Sequence, residues 1–260
     1  MRIARFAHSS GFSFGVVEGS GDDDSQVVSE IDGHPFGDIK LTGQRWALAD
    51  VRLFSPILPS KVVCVGRNYA DHAAELGNEV PKEPLLFLKP STSLIGPNDA
   101  IRIPPQSHRV EHEAELAVVI GATGARRVDK AGAAAAIFGY TCANDVTARD
   151  LQRADVQFTR AKGFDSFCPL GPWMVTDVDV RDVEVRCEVN EEVRQLGRTK
   201  DMVFDPATLV SYVSHVMTLL PGDVVLTGTP AGVSQMVDGD VVTVTIEGLG
   251  SLTNRVQNLV

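Results

Sequence analysis

The sequence predicts a strand-dominated fold with few helices, arranged as a small β-rich unit over residues 1–55 and a larger unit over 56–260. Short apolar, β-branched runs recur along the chain and are bounded by Gly, Pro, Asn and Asp, which is how strands punctuated by turns read. Helical signals are read at Asp71–Leu76, Asp129–Ala136 and Pro206–Leu220. A proline-punctuated stretch from Ser55-Pro56 to Pro59 marks the boundary between the two units.

In chain order, Ile3–Phe6 and Phe14–Glu18 are strand candidates of the first unit. Gly19 to Ser25 reads as a solvated turn. Its acidic triplet, Asp22 to Asp24, lacks the regular ligand spacing and distal Glu of a calcium loop. Lys61 to Gly66 reads as a strand entering a core, and Asp71–Leu76 as a short helix closed by Gly77. Leu85 to Leu88 is an apolar strand that ends in Lys89-Pro90. Ile101-Arg102-Ile103 leads toward a further strand, Glu111 to Gly121. An alanine-rich helix over 129–136 precedes the apolar run Ile137 to Ala143, and strands return from Val183 to Val189. Leu209, Val213, Val216, Met217 and Leu220 form a helical stripe assigned to the core. Pro221-Gly222-Asp223 and Asp238-Gly239-Asp240 open two similar turn-plus-strand units.

Bulk properties narrow the function. A chain of 260 residues, 43% hydrophobic and 22% charged, can bury a substantial core. A net charge of -10 disfavours nucleic acid and anionic membrane as partners, since both need a basic face. The N-terminus has no apolar signal-peptide core, and no apolar run approaches the ~20 residues of a membrane span. Cys64, Cys142, Cys168 and Cys187 form no Cys-x-x-Cys pair and read as buried thiols of a reducing compartment, so a cytoplasmic location is expected.

The chemistry centres on Glu111 to Gly121. Its second half is apolar, but its first half carries carboxylates where a buried strand should carry valines. With side chains alternating at period two, Glu111, Glu113 and Glu115 should point the same way, about 7 Å per step. Buried carboxylates side by side repel, and a bound cation removes the conflict. Asn144-Asp145, at the end of the next apolar run, can bring a further carboxylate. The leading hypothesis is a divalent metal held by Glu113, Glu115 and Asp145; the bland alternative for a Glu-x-Glu strand is a solvated face.

Other polar residues also have two readings. His72 and Glu75 are i and i+3 on the first helix, so the carboxylate can orient the ring and raise its basicity; the alternative is an ordinary exposed pair. Lys89 either snorkels to solvent or faces an anion. Lys162, beside Gly163, is either an oxyanion or carboxylate donor or a surface turn residue. The loop Thr227 to Val233 can offer N–H and hydroxyl groups to an anionic ligand, but it lacks the lysine of a P-loop. No Gly-x-Gly-x-x-Gly is present, so nucleotide binding is not expected.

Taken in order, these segments resemble the fumarylacetoacetate hydrolase family. The matching pieces are Gly66-Arg67-Asn68-Tyr69 with His72, Phe87-Leu88-Lys89-Pro90, and His112-Glu113-Ala114-Glu115 with the run to Gly121. Asn144-Asp145 to Gln152, Lys162-Gly163-Phe164-Asp165 and Leu226 to Val233 complete the set, and the resemblance covers about Pro56 to the C-terminus. It implies an α+β fold, a mixed β-sandwich roll with few helices preceded by a variable small domain, and a homodimer. It further implies Mg2+ or Mn2+ on Glu113, Glu115 and Asp145, a base dyad of His72 and Glu75 on a closing segment, and assistance from Lys162. Arg67, Lys89, Gln152 and Thr229 match positions that touch substrate or support the metal. The implied ligand is a small 2-oxo or 2-hydroxy-enol acid. The leading activity resembles 2-hydroxyhepta-2,4-diene-1,7-dioate isomerase or decarboxylase in aromatic catabolism. Acylpyruvate hydrolase and oxaloacetate decarboxylase are alternatives, and a metal-dependent 2-oxo acid binding protein is the non-enzymatic rival.

Overall fold

The computed structural model describes residues 1–9, 11–19 and 26–259. The expected turn from Gly19 to Ser25, with its acidic triplet, lies outside them apart from Gly19. The described chain is mostly strand with five short α-helices, consistent with the expected α+β sandwich. None of those helices is long and apolar enough to cross a membrane.

A twelve-stranded sheet forms the frame. Its main path starts at Leu41–Ala47 and passes through Val27–Ile31, Gly11–Glu18, Arg2–His8 and Cys168–Val175. It continues through Ile137–Asn144, Ala114–Ile120, Val224–Leu226 and Val62–Gly66 to Leu85–Lys89. Arg2–His8 is antiparallel to Cys168–Val175, with Arg2 opposite Val175, so the N-terminal strands extend the sheet of the larger unit. A five-stranded sheet, Glu192–Arg198, Glu184–Val189, Val241–Ile246, Gly250–Asn258 and Ala100–Ile103, packs on one face.

Ala114–Ile120 sits at the centre. All seven of its residues are buried, because it pairs with Ile137–Asn144 on one side and Val224–Leu226 on the other and both its faces are covered. Leu116 packs into the core shared with the five-stranded sheet. Val118 and Ile120 lie on the same face, against helix Pro206–Val216, while Ala117 and Val119 face the opposite core with Leu170 and Ile57. That period-two division is what a strand buried on both faces requires. Asp223, itself fully buried, ties this region together. It accepts from Ser60 N, Ser60 Oγ and Lys61 N at 2.6–3.2 Å and from Leu220 N at 2.7 Å, and it pairs with the Lys61 ammonium.

Two expectations need correcting. Glu111 to Gly121 is not one strand: Val110–Glu111 pairs with Thr147–Ala148 in a separate ribbon, and the chain breaks at His112-Glu113 before Ala114–Ile120 begins. The helix from Pro206 stops at Val216, not Leu220, because Leu219 exchanges two 2.9 Å backbone hydrogen bonds with Ala125. Val216 and Leu220 are therefore 58% and 48% exposed, and the buried stripe is Leu209, Val210 and Val213.

A carboxylate-lined cavity at the end of the central strands

The ladder that buries Ala114–Ile120 also assembles the cavity. Ala114 is opposite Asn144 and Glu115 opposite Ala143, so the next residue on each strand, Glu113 and Asp145, meet where the ladder ends. There Asp145 N donates to Glu113 O (2.8 Å), and Glu113 N donates to the Asn144 side chain (3.0 Å). On the other flank the chain leaving Val224–Leu226 runs back along the same strand. Thr227 Oγ1 donates to Leu116 O (2.8 Å), Gly228 N to Glu115 Oε2 (2.6 Å), and Thr229 Oγ1 to Ala114 O (2.8 Å). Gly228 has φ +95°, and a Cβ there would lie 2.7 Å from Asn68 Cβ, so only glycine lets this loop close on Glu115.

The result is a cavity of about 260 Å³. Glu113, Glu115 and Asp145 line it, all three buried, each offering an oxygen within 4.8 Å of the other two. His72, Lys162, Arg67, Gln152 and Thr229 line the same cavity. Of the remaining expected residues, Glu75 stands behind His72, its Oε2 3.1 Å from His72 Nδ1 and its Oε1 accepting from Gly232 N at 3.0 Å. Lys89 is off the cavity wall. It is 1% exposed and donates to the carbonyls of Val146 (3.0 Å), Lys162 (2.6 Å) and Phe167 (2.7 Å). Those three bonds use all its protons. Its 2.7 Å approach to Asp145 Oδ1 is therefore a charge contact without a hydrogen bond, and that buried oxygen has no donor. Glu111 departs from the expected trio. Its carboxylate is bound by Arg149 (2.6 Å) and Arg109 (2.5 Å) and does not line the cavity.

The charges are arranged unequally. Burial alone would raise the Glu113 carboxyl, but Lys162 at 2.7 Å, Arg149 at 2.5 Å and nearby His72 hold it below the ordinary carboxylate range. For Glu115, burial and the neighbouring Asp145 and Glu113 carboxylates together push the pKa well up, and Lys162 and Gly228 N–H only partly offset them. Burial works against the Lys162 ammonium, but Asp145 (2.6 Å) and Glu113 outweigh it and raise its pKa. A divalent cation fits this donor set. The ligands are hard carboxylate oxygens, one has no donor, and another is strained by like charge.

Several contributors carried no sequence-derived role. Arg149 is 1% exposed and bridges Glu111, Glu113 and Gln152 (2.5 Å), the cation that the acidic stretch needs. Unpaired carboxylates in an apolar strand were a signal to look for it. Gln195 comes from the far sheet. Its Oε1 accepts from His112 Nδ1 (2.9 Å) and Ala114 N (3.0 Å), and its Nε2 donates to Thr229 Oγ1 and Pro230 O (both 2.7 Å). Burial lowers the His112 pKa. A neutral ring donating from Nδ1 to Gln195 and accepting at Nε2 from Ser234 Oγ (2.8 Å) is a structural strut. Phe87, Phe158 and Arg153 also line the cavity.

Residues 61–257 match the family model for the fumarylacetoacetate (FAA) hydrolase C-terminal region, and residues 1–56 match one described as Rv2993c-like, N-terminal. The crystal structure of 5-carboxymethyl-2-hydroxymuconate delta-isomerase from Mycobacterium smegmatis superposes with a TM-score of 0.93 at 53% identity, covering 100% of both chains. A human relative, a mitochondrial oxaloacetate tautomerase named FAHD2A, is 44% identical over 85% of this chain and 77% of its own length. Fumarylpyruvate hydrolase from Pseudomonas aeruginosa, solved in complex with Mn2+ and pyruvate, superposes with a TM-score of 0.73 at 32% identity, covering 80% of this chain and 92% of its own. With a match spanning most of its length and neighbours this similar, the chain belongs to the fumarylacetoacetate hydrolase family of enzymes.

Proposed function

We propose that the chain is a Mg2+- or Mn2+-dependent enzyme that moves protons on small 2-oxo and 2-hydroxy-enol acids, with an isomerase or decarboxylase action on 2-hydroxyhepta-2,4-diene-1,7-dioate-like acids as the leading reading. The observation that carries it is the convergence of Glu113, Glu115 and Asp145 on one cavity with the His72–Glu75 pair. The isomerase and tautomerase names of similar proteins, and the Mn2+ and pyruvate in a third, support it.

The three carboxylates would hold the cation, which supplies Lewis acidity toward negative charge developing on a substrate oxygen. His72 takes the proton from the carbon next to the carbonyl. With Nδ1 turned to the Glu75 carboxylate, Nε2 is the basic nitrogen. Lys162 compensates the charge of Glu113 and Asp145 and donates toward anionic oxygen in the cavity. Arg67, Gln152 and Thr229 position the acid from the wall, while Lys89 acts indirectly by fixing the loops that carry Asp145 and Lys162. Water-dependent C–C cleavage of an acylpyruvate is the second reading, favoured by the similarity to fumarylpyruvate hydrolase. It uses the same His72 nitrogen to activate water. A homodimer is part of the proposal, supported by the edge strand Leu85–Lys89, where Leu88 is 46% exposed.

Deuterium exchange at C3 of oxaloacetate, followed by NMR with and without Mg2+, tests the reading, and product mass separates isomerisation, decarboxylation and hydrolysis. His72→Ala should abolish exchange while leaving cation affinity in place. Exchange at the wild-type rate in that variant, or exchange indifferent to Mg2+, would refute the proposal.

A further inference from the structure

The helix Arg149–Ala154 puts Arg149, Gln152 and Arg153 at i, i+3 and i+4, and all three line the cavity. Arg149 is deep and fully committed to Glu111, Glu113 and Gln152. Arg153 lies ~6 Å further along the helix axis, at ~1.5 Å per residue, and is exposed at the cavity mouth. It has no ion pair among the described residues, in a chain with ten more acidic than basic side chains (34 against 24). The nearby carboxylates are occupied. Asp150 accepts from Ser107 Oγ and from the backbone of His108 and Leu151, and Asp155 gives both oxygens to Arg160.

A second cation shares this condition. Arg67 lines the cavity without an ion pair among the described residues. Its φ of +58° is left-handed, an uncommon conformation for a residue with a Cβ. The rings of Phe87 and Phe158, with centroids 5.6 Å apart in a T-shaped pair, add an apolar stretch of wall. The cavity thus offers a carboxylate cluster inside, aromatic wall, and guanidinium groups without protein counter-ions.

We propose that Arg153 is a specificity-determining residue: it receives a second carboxylate, distal to the 2-oxo group, and so selects 2-oxo dicarboxylates over monocarboxylates of the same length. This rests on the 2-oxo acid reading above. A guanidinium binds a carboxylate through paired N–H donors, and Arg67 adds positive charge to the same wall.

Calorimetric titration of the Mg2+-loaded protein with 2-oxoglutarate and 2-oxopentanoate, which share a five-carbon chain, tests the proposal. The wild type should bind 2-oxoglutarate at least ~10-fold tighter. Arg153→Met should reduce that preference to about 2-fold, with the loss falling on 2-oxoglutarate, and Arg153→Lys should recover part of it. Equal affinities in the wild type, the same loss for both acids in Arg153→Met, or no binding of either acid would overturn the proposal. Deuterium exchange is read separately. A binding preference without exchange of any 2-oxo acid leaves the subsite standing and refutes the reaction, whereas exchange without preference does the reverse.

Discussion

Gln195→Leu is the sharpest test of how the cavity is held in shape. Gln195 is fully buried, and its one amide joins three segments: His112 and Ala114 where the chain enters the central strand, Thr229 and Pro230 on the loop after Val224–Leu226, and its own strand Glu192–Arg198 in the other sheet. Leucine has nearly the same volume, so the substitution removes four hydrogen bonds without opening a cavity. At a net ~1 kcal/mol each the loss is about 4 kcal/mol, weighted toward His112 Nδ1 and Ala114 N, which become buried donors without acceptors. That is a large share of the 5–15 kcal/mol typical of folded domains. Urea unfolding followed by tryptophan fluorescence should show the midpoint falling by ~1.3 M at a slope of ~3 kcal/mol per M, with the slope unchanged. A fall below ~0.3 M would mean that the amide does not organise these segments, and the account of how Glu113 and Glu115 are positioned would fail with it.

Other perturbations have defined outcomes. Mg2+ or Mn2+ at ~100 times its dissociation constant should stabilise the wild type by ~2.7 kcal/mol, or roughly 5–10 °C in Tm, and Glu115→Gln should lose that shift. The same variant without metal should melt no lower than wild type, since it removes the carboxylate strained by Asp145 and Glu113; calorimetry reads both. Lys89→Met should destabilise the fold by about 3–5 kcal/mol in denaturant titrations, because it frees three buried carbonyls and removes one of the two buried ammonium groups beside Asp145, Lys162 being the other. Burial opposes the Asp150 carboxylate, but its hydrogen bonds from Ser107, His108 and Leu151 prevail and lower its pKa from the ordinary aspartate value. Its stabilising contribution is therefore present above the unfolded value and is lost as pH falls through the folded one. Asp150→Asn should flatten stability against pH below about 4, and an unchanged acid limb would contradict the assignment.

The sequence exposed the acidic cluster because charge in an apolar, β-branched run conflicts with burial, and Glu113, Glu115 and Asp145 interrupt two such runs. Helical spacing indicated that His72 and Glu75 could meet, and they do at 3.1 Å, but spacing alone did not separate a working pair from an ordinary exposed one. Contacts made through tertiary closure were not. Gln195 reaches Ala114 across 81 positions, and nothing near either residue announces it. Cys168–Val175 holds Pro169 and Pro172, which argue against an interior strand, yet it lies between Arg2–His8 and Ile137–Asn144. The end of the last helix was misplaced because apolar periodicity continues to Leu220 while the bridge at Leu219 draws the backbone away.

The junction between Arg2–His8 and Cys168–Val175 bears on how the protein can be shortened. A chain starting at Pro56 would leave Cys168–Val175 with unpaired amides and carbonyls along the side where Ile3 and Arg2 now sit. Such a bare margin recruits strands from other molecules. The shortened protein should therefore form soluble aggregates or strand-swapped assemblies in size-exclusion chromatography before it loses its carboxylate cluster. The first fifty or so residues act as a guard on the sheet, whatever else they do.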